Sequence, residues 1–253
     1  MKSIALLCLT ILFMSCVSAP QGSTIADRPS SSSIQGVEYT QTFTYNLIAF
    51  TGDTSTFQYP VEIVNFFIDN FKSIYNVSNV TLLTGANATF DKLKAVVEPY
   101  RNVANVVNII LYSGHGNMYG FNAYADIQYR NFIQYFDTFI TPTIILVDSC
   151  HSGNLSRFLK PNTNLTVITG SAPDTTTSSG SGGGVQLNML ASIIYALKEG
   201  TSIDSNSDRQ ILIDELVSAA SANAAENIET YGKGWARFGV YLWGDDTRVV
   251  ATY

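Results

Sequence analysis

Two short strings carry the residues best suited to covalent chemistry: Tyr112-Ser113-Gly114-His115-Gly116 and Asp148-Ser149-Cys150-His151-Ser152-Gly153. The chain has only two histidines, and both lie here. Of three cysteines, Cys150 alone lies outside the N-terminal leader. A thiol beside an imidazole can shift toward thiolate and imidazolium, or lose its proton to the ring during attack. The same ring can then protonate a leaving amine. The oxyanion of such a reaction needs donors already aimed at it, and the N–H groups of Gly116 and Cys150 are the natural candidates. Glycine beside His115 also permits close backbone approach of a substrate. His151 would face away from Cys150 in a strand-like turn and is expected to be structural. A zinc site is disfavoured because Cys150 and His151 are adjacent and point apart.

These side chains need elements to carry them. Each string directly follows an apolar run, at 103–111 and 143–147, that reads as a buried strand. Further strands are expected at 39–50, 80–83 and 165–169, with terminal strands at 238–243 and 247–252. Helical spacing predicts helices over 61–75, 90–100, 127–139, 185–197 and 211–228, with Thr89 as the N-cap of the second. The Gly/Ser/Thr stretch 171–184 has no apolar anchor and reads as a mobile loop. Continuous Val/Ile/Leu strands alternating with helices predict an α/β fold with a largely parallel sheet covered on both faces. Ligands bind such sheets at the carboxyl ends of the strands, where both His115 and Cys150 fall.

The 253 residues suit one well-buried domain or at most two small ones. A hydrophobic content of 46%, a charged content of 13% and a net charge of −6 indicate a globular, mildly acidic chain. No basic cluster exists, so nucleic acid is not an expected partner. Residues 1–19 read as an export leader: Lys2, an apolar run, then small residues. Two readings of its end compete: cleavage after Ala19, or a lipobox-like Phe13-Met14-Ser15-Cys16 that would leave a lipid on Cys16. The protein is therefore expected to be exported: secreted, periplasmic or lipid-anchored at the surface, with a membrane partner only through that anchor. Residues 20–37 read as a flexible tether and 38–253 as the folded domain.

The two strings, each behind an apolar strand, resemble those of the caspase-like cysteine peptidases of clan CD, and most closely the metacaspase branch. The resemblance runs from about Tyr45 to Tyr253, less clearly after Trp235. It implies a caspase-like three-layer α/β/α sandwich with a mostly parallel sheet of about six strands. It implies His115 as general base and acid, Cys150 as nucleophile, and Gly116 and Cys150 as oxyanion-hole amides. It also implies that Ser113 and Asp148, two positions before the catalytic pair, line the S1 pocket. A carboxylate there suits a P1 Arg or Lys. Asp53 is a candidate second pocket carboxylate, although loop Asp residues beside Gly commonly make turns.

The expected activity is cysteine endopeptidase hydrolysis through a thioester, on peptide or protein substrates. No cofactor is required for the chemistry. Calcium activation is possible but not predicted: the acidic balance could support a weak site, yet no Asp-x-Asp-x-Asp-Gly loop occurs. Two alternatives stand: a transpeptidase or transamidase using the same dyad, and a catalytically inactive surface binding protein of the same fold. Ser/His/Asp chemistry is disfavoured because no Gly-x-Ser-x-Gly elbow occurs. No Lys or Arg lies between Pro161 and Leu197, so an enzyme selective for basic P1 residues could not cut its own 171–184 loop.

Overall fold

The computed structural model describes residues 43–52, 59–161, 164–207, 210–244 and 249–252; the leader, the tether and Asp53 lie outside them. In chain order the elements are β1 (Thr44–Thr51), α1 (Tyr59–Ile74), β2 (Val77–Leu83), α2 (Phe90–Val97), β3 (Val106–Ser113), β4 (Gly120–Phe121) and β5 (Ile127–Gln128). There follow α3 (Tyr129–Phe136), β6 (Thr143–Asp148), β7 (Leu165–Thr169), β8 (Gly180–Gly182), β9 (Val185–Leu187) and α4 (Met189–Glu199). The last are β10 (Gln210–Leu212), α5 (Ile213–Tyr231), β11 (Tyr241–Gly244) and β12 (Val249–Thr252).

The main sheet has six strands in the order β11-β7-β6-β3-β1-β2. All are parallel except β11, which runs antiparallel to β7. The period of two along each strand decides what covers it. Leu47, Ile109, Leu111, Ile144, Leu146 and Ile168 pack with α1, α4 and α5. Ile48, Phe50, Ile110, Tyr112, Ile145, Val147 and Val167 pack with α2 and α3. Both faces are covered, which is why these strands show apolar runs without alternation, and the result is a three-layer α/β/α sandwich.

One polar row interrupts the sheet. Asn46 donates to Asn108 Oδ1 at 3.0 Å and accepts from Asn79 at 2.9 Å, and Asn108 donates to the Tyr100 carbonyl. Asn46 and Asn108 are fully buried. Asn46→Leu keeps the volume but removes both bonds, leaving the Asn108 carbonyl oxygen without its donor. The expected cost is about 1–3 kcal/mol, read as a lower urea midpoint at unchanged slope. An unchanged midpoint would show that the row contributes no net stability.

Several boundaries differ from the sequence-based expectation. β2 starts at Val77, three residues early, because as the edge strand it tolerates Ser78 and Asn79 among its apolar residues. Ile127 and Gln128 pair with Phe121 and Gly120, so α3 begins only at Tyr129. Val185–Leu187 is a strand paired with Gly180–Gly182, and α4 starts at Met189, where Asn188 caps it by accepting from the Ala191 N–H at 2.8 Å. Residues 210–212 likewise belong to a strand, paired with β12, and α5 starts at Ile213. In each case the apolar residues fit either period, and the pairing partner is distant in sequence.

The 171–184 segment is fastened rather than unanchored. Asp174 pairs with Arg157 at 2.6 Å, the Thr175 carbonyl accepts from the His151 N–H at 2.7 Å, and Ser178 forms a two-bond bridge with Arg237. Polar side chains and backbone supply these anchors, so hydropathy could not signal them.

Candidate active site

β3 and β6 are adjacent and in register, with Ser113 opposite Asp148. Their carboxyl ends therefore deliver both strings to one place. β1 connects toward one edge of the sheet and β3 toward the other, so the crevice lies at the point where the winding reverses. It is a cleft of about 690 Å³, counting its open mouth. Ser113, His115, Asp148 and Cys150 line it, with Tyr59, Pro60 and Ile63 from α1 and Thr177, Ser178 and Ser179 from the 171–184 segment. The fold thus brings together His115, Cys150, Ser113 and Asp148. Asp53 lies outside the described residues.

His115 is exposed at the cleft and Cys150 is half-buried. Thr177 borders the sulfur: its N–H donates to Cys150 Sγ at 3.3 Å, and the thiol donates to its carbonyl at 3.6 Å. Among the described residues, neither the Gly116 nor the Cys150 N–H donates to a protein acceptor. Gly116 packs against the turn that carries Cys150. A Cβ there would collide with the Cys150 carbonyl and come within 2.8 Å of Ser149 Oγ. Its lack of a side chain therefore serves the contact between the two turns as well as any approach of substrate.

The Cys150 turn is held from both sides. Ser149 Oγ donates to the Cys150 carbonyl at 3.3 Å. His151 takes the left-handed conformation, φ 57°, so the turn is not strand-like. Its backbone N–H fastens Thr175, and its side chain does not line the cleft.

Asp148 continues the β6 face that carries Ile144 and Leu146, so its carboxyl points toward α1 and α4. It is buried, and Oδ1 has no hydrogen-bond partner. Burial pushes the carboxyl up from 3.8 to about 7, partly offset by a hydrogen bond from the Met189 N–H at the start of α4. Gly170, just past β7, leaves it room: a Cβ there would stand 2.8 Å from Oδ1. The Tyr59 hydroxyl adds the polar wall toward α1, donating to Gln186 at 3.2 Å.

Sequence reasoning missed Tyr59, Gly170 and Thr177. Gly170 had a signal, as a glycine at the carboxyl end of a predicted strand. Tyr59 and Thr177 had none, because only the packing of α1 and the fastened loop brings them to the cleft. Among the described residues, no three His, Cys, Asp or Glu side chains converge to hold a metal ion.

No protein-family model matches the sequence, and no curated protein sequence does. Solved structures do. Caspase-1 from Spodoptera frugiperda is 11% identical, with a TM-score of 0.54 over 82% of this chain and 89% of that one. Pro-sf-caspase-1 is also 11% identical, with a TM-score of 0.55 over 82% of this chain and 93% of that one. The Drosophila initiator caspase Dronc is 11% identical, with a TM-score of 0.50 over 89% and 94%. The fold is caspase-like.

Proposed function

We propose that this chain is an exported cysteine endopeptidase of the metacaspase type that cleaves peptide bonds after Arg or Lys. One observation carries the reading: a single cleft at the ends of β3 and β6 holds His115, Cys150 and a buried carboxylate, Asp148, with an unpartnered oxygen. In the proposed reaction His115 accepts the Cys150 proton as sulfur bonds to the scissile carbonyl carbon. The displaced electron pair moves to oxygen, where the Gly116 and Cys150 N–H groups receive it. As the tetrahedral species collapses, the C–N bond breaks and His115 protonates the departing amine. Water then adds to the thioester, giving its proton to His115. The C–S bond breaks, the acid leaves and the thiol is restored.

Asp148 supplies P1 selectivity. A P1 guanidinium or ammonium would give Oδ1 the charged donor it lacks. Ser113 stands beside it in the ladder and lines the same cleft. Asp53 is a candidate second carboxylate, two residues past the end of β1. Chemistry at this site needs no cofactor.

Fluorogenic peptides with Arg, Lys, Asn or Asp at P1, assayed with and without calcium, test the reading. Turnover after Arg and Lys is expected, with the enzyme remaining one chain because 161–197 offers no basic residue. Cleavage after Asn or Asp, or a cut at Asp174, would keep the enzyme and discard the pocket. Products carrying an added amine in place of water would assign a transamidase. The absence of Cys150-dependent turnover would leave a binding protein of this fold.

A further inference from the structure

The α2/α3 side of the sheet carries an aromatic layer that reaches up behind the catalytic turns. Phe50, Tyr112, Phe121, Tyr129 and Phe132 are all essentially buried. The Tyr112 ring makes tilted contacts with Phe50, centroids 4.8 Å apart, and with Phe121, 4.6 Å apart. From this layer the Tyr112 hydroxyl donates to the His115 carbonyl at 2.6 Å. The same carbonyl accepts from the Asn122 N–H at 3.0 Å.

That carbonyl shares a peptide unit with the Gly116 N–H. The unit is planar and trans, so its C=O and N–H point in opposite directions. Whatever pins the His115 oxygen therefore aims the Gly116 hydrogen. Left free, the peptide could rotate and present a carbonyl dipole where the oxyanion needs a donor.

A second observation concerns the space the hydroxyl occupies. A Cβ on Gly114 would lie 2.8 Å from the Tyr112 hydroxyl, and one on Gly52 would lie 3.1 Å from it. Two glycines at the ends of adjacent strands thus leave the niche open. Gly52 is itself held by its N–H, which donates to the Ser113 carbonyl at 2.9 Å.

We propose that Tyr112 is a positioning residue of the oxyanion hole: its hydroxyl grips the His115 carbonyl and so orients the Gly116 N–H. This rests on the cysteine-peptidase reading above. The residue touches no reacting atom and acts only through the peptide plane.

Tyr112→Phe tests the proposal, measured beside wild type and Cys150→Ala. The Asn122 N–H still satisfies the carbonyl, and the ring contacts are kept. A fall in kcat of about 3- to 10-fold is expected, the worth of one neutral hydrogen bond while the Asn122 N–H still holds the carbonyl, short of the full loss of an oxyanion donor, with KM within about two-fold. A peptidyl argininal, which forms a tetrahedral adduct with the thiol, should lose affinity by a similar factor. The corresponding non-reactive argininol should bind unchanged. The rate and pH profile of Cys150 alkylation should also be unchanged, because the thiol and imidazole are untouched. A merely structural role would lower alkylation and argininol binding together with kcat. Tyr112→Met, also without a hydroxyl, replaces Phe if that variant does not fold. Wild-type kcat in the folded variant, or equal losses for argininal and argininol, overturns the proposal. Wild-type turnover that survives in Cys150→Ala overturns the underlying reading instead.

Discussion

Cys150→Ala is expected to abolish turnover of an Arg-P1 peptide, and His115→Ala to lower kcat by about 10²- to 10⁴-fold. The difference follows from the roles. Without the thiol no acyl-enzyme can form, whereas without the imidazole a minor thiolate fraction still attacks, and water must protonate the amine. Neither variant should cost much stability. His115 is exposed, and Cys150 is half-buried with the hydrogen bonds of its thiol confined to Thr177. A change below about 1 kcal/mol is expected from losing such bonds. The double variant should be no slower than Cys150→Ala, because residues acting as one unit are not additive. Rates from enzyme titrated for folded protein decide the matter. A His115→Ala rate within two-fold of wild type would remove His115 from the chemistry.

Asp148→Asn should separate function from stability in opposite directions. A P1 cation facing a buried amide loses a charged partner, worth about 2–5 kcal/mol. On that basis kcat/KM for Arg substrates should fall on the order of 10²- to 10³-fold. The folded chain, in contrast, should gain stability at alkaline pH. Burial holds the Asp148 carboxyl at about 7, above its ordinary 3.8. Between these values the folded state binds more protons than the unfolded one, so the contribution is fully favourable below about 4 and is lost as pH rises through about 7. At about 1.4 kcal/mol per pH unit over that gap, the ionised carboxylate costs about 4 kcal/mol at pH 8. Asparagine carries no such cost. Urea unfolding at pH 4 and pH 8 should therefore show the variant gaining on wild type as pH rises.

The same group should shape specificity. The preference for Arg over its neutral isostere citrulline at P1 is expected to climb through about pH 7, as the carboxyl ionises. Effects of pH common to both substrates cancel in that ratio. A ratio flat across pH 5–9, with no stability gain in Asp148→Asn, would place the selectivity elsewhere.

Much of this architecture was legible in the chain. The runs before His115 and Cys150 are apolar without alternation because both faces of β3 and β6 are covered, and that alone implies a parallel, sandwiched sheet. Parallel strands put their carboxyl ends on one side, so one cleft holding both residues followed from the two strings. Most of the short strands escaped detection. Phe121 with Ile127, Gly180–Gly182 with Val185–Leu187, and Gln210–Leu212 are two or three residues long, and the terminal strand expected at 247–252 gave no sign that it pairs with the last of these. Segments that short have no period to read, and their ladders join positions a local window never sees together.

The sequence by itself determined the sheet, the chemistry available at its edge, and which side chains could perform it. Residue type and strand parity are local properties, written in order along the chain. Only the tertiary structure decided what surrounds those side chains. It placed α1 and α4 against Asp148 and so desolvated the carboxyl. It laid Thr177 against the thiol through a loop whose anchors are backbone groups and one ion pair. It brought two glycines from neighbouring strands together to admit the Tyr112 hydroxyl. These are through-space contacts between residues distant in sequence, and backbone donors and missing side chains leave no mark in hydropathy.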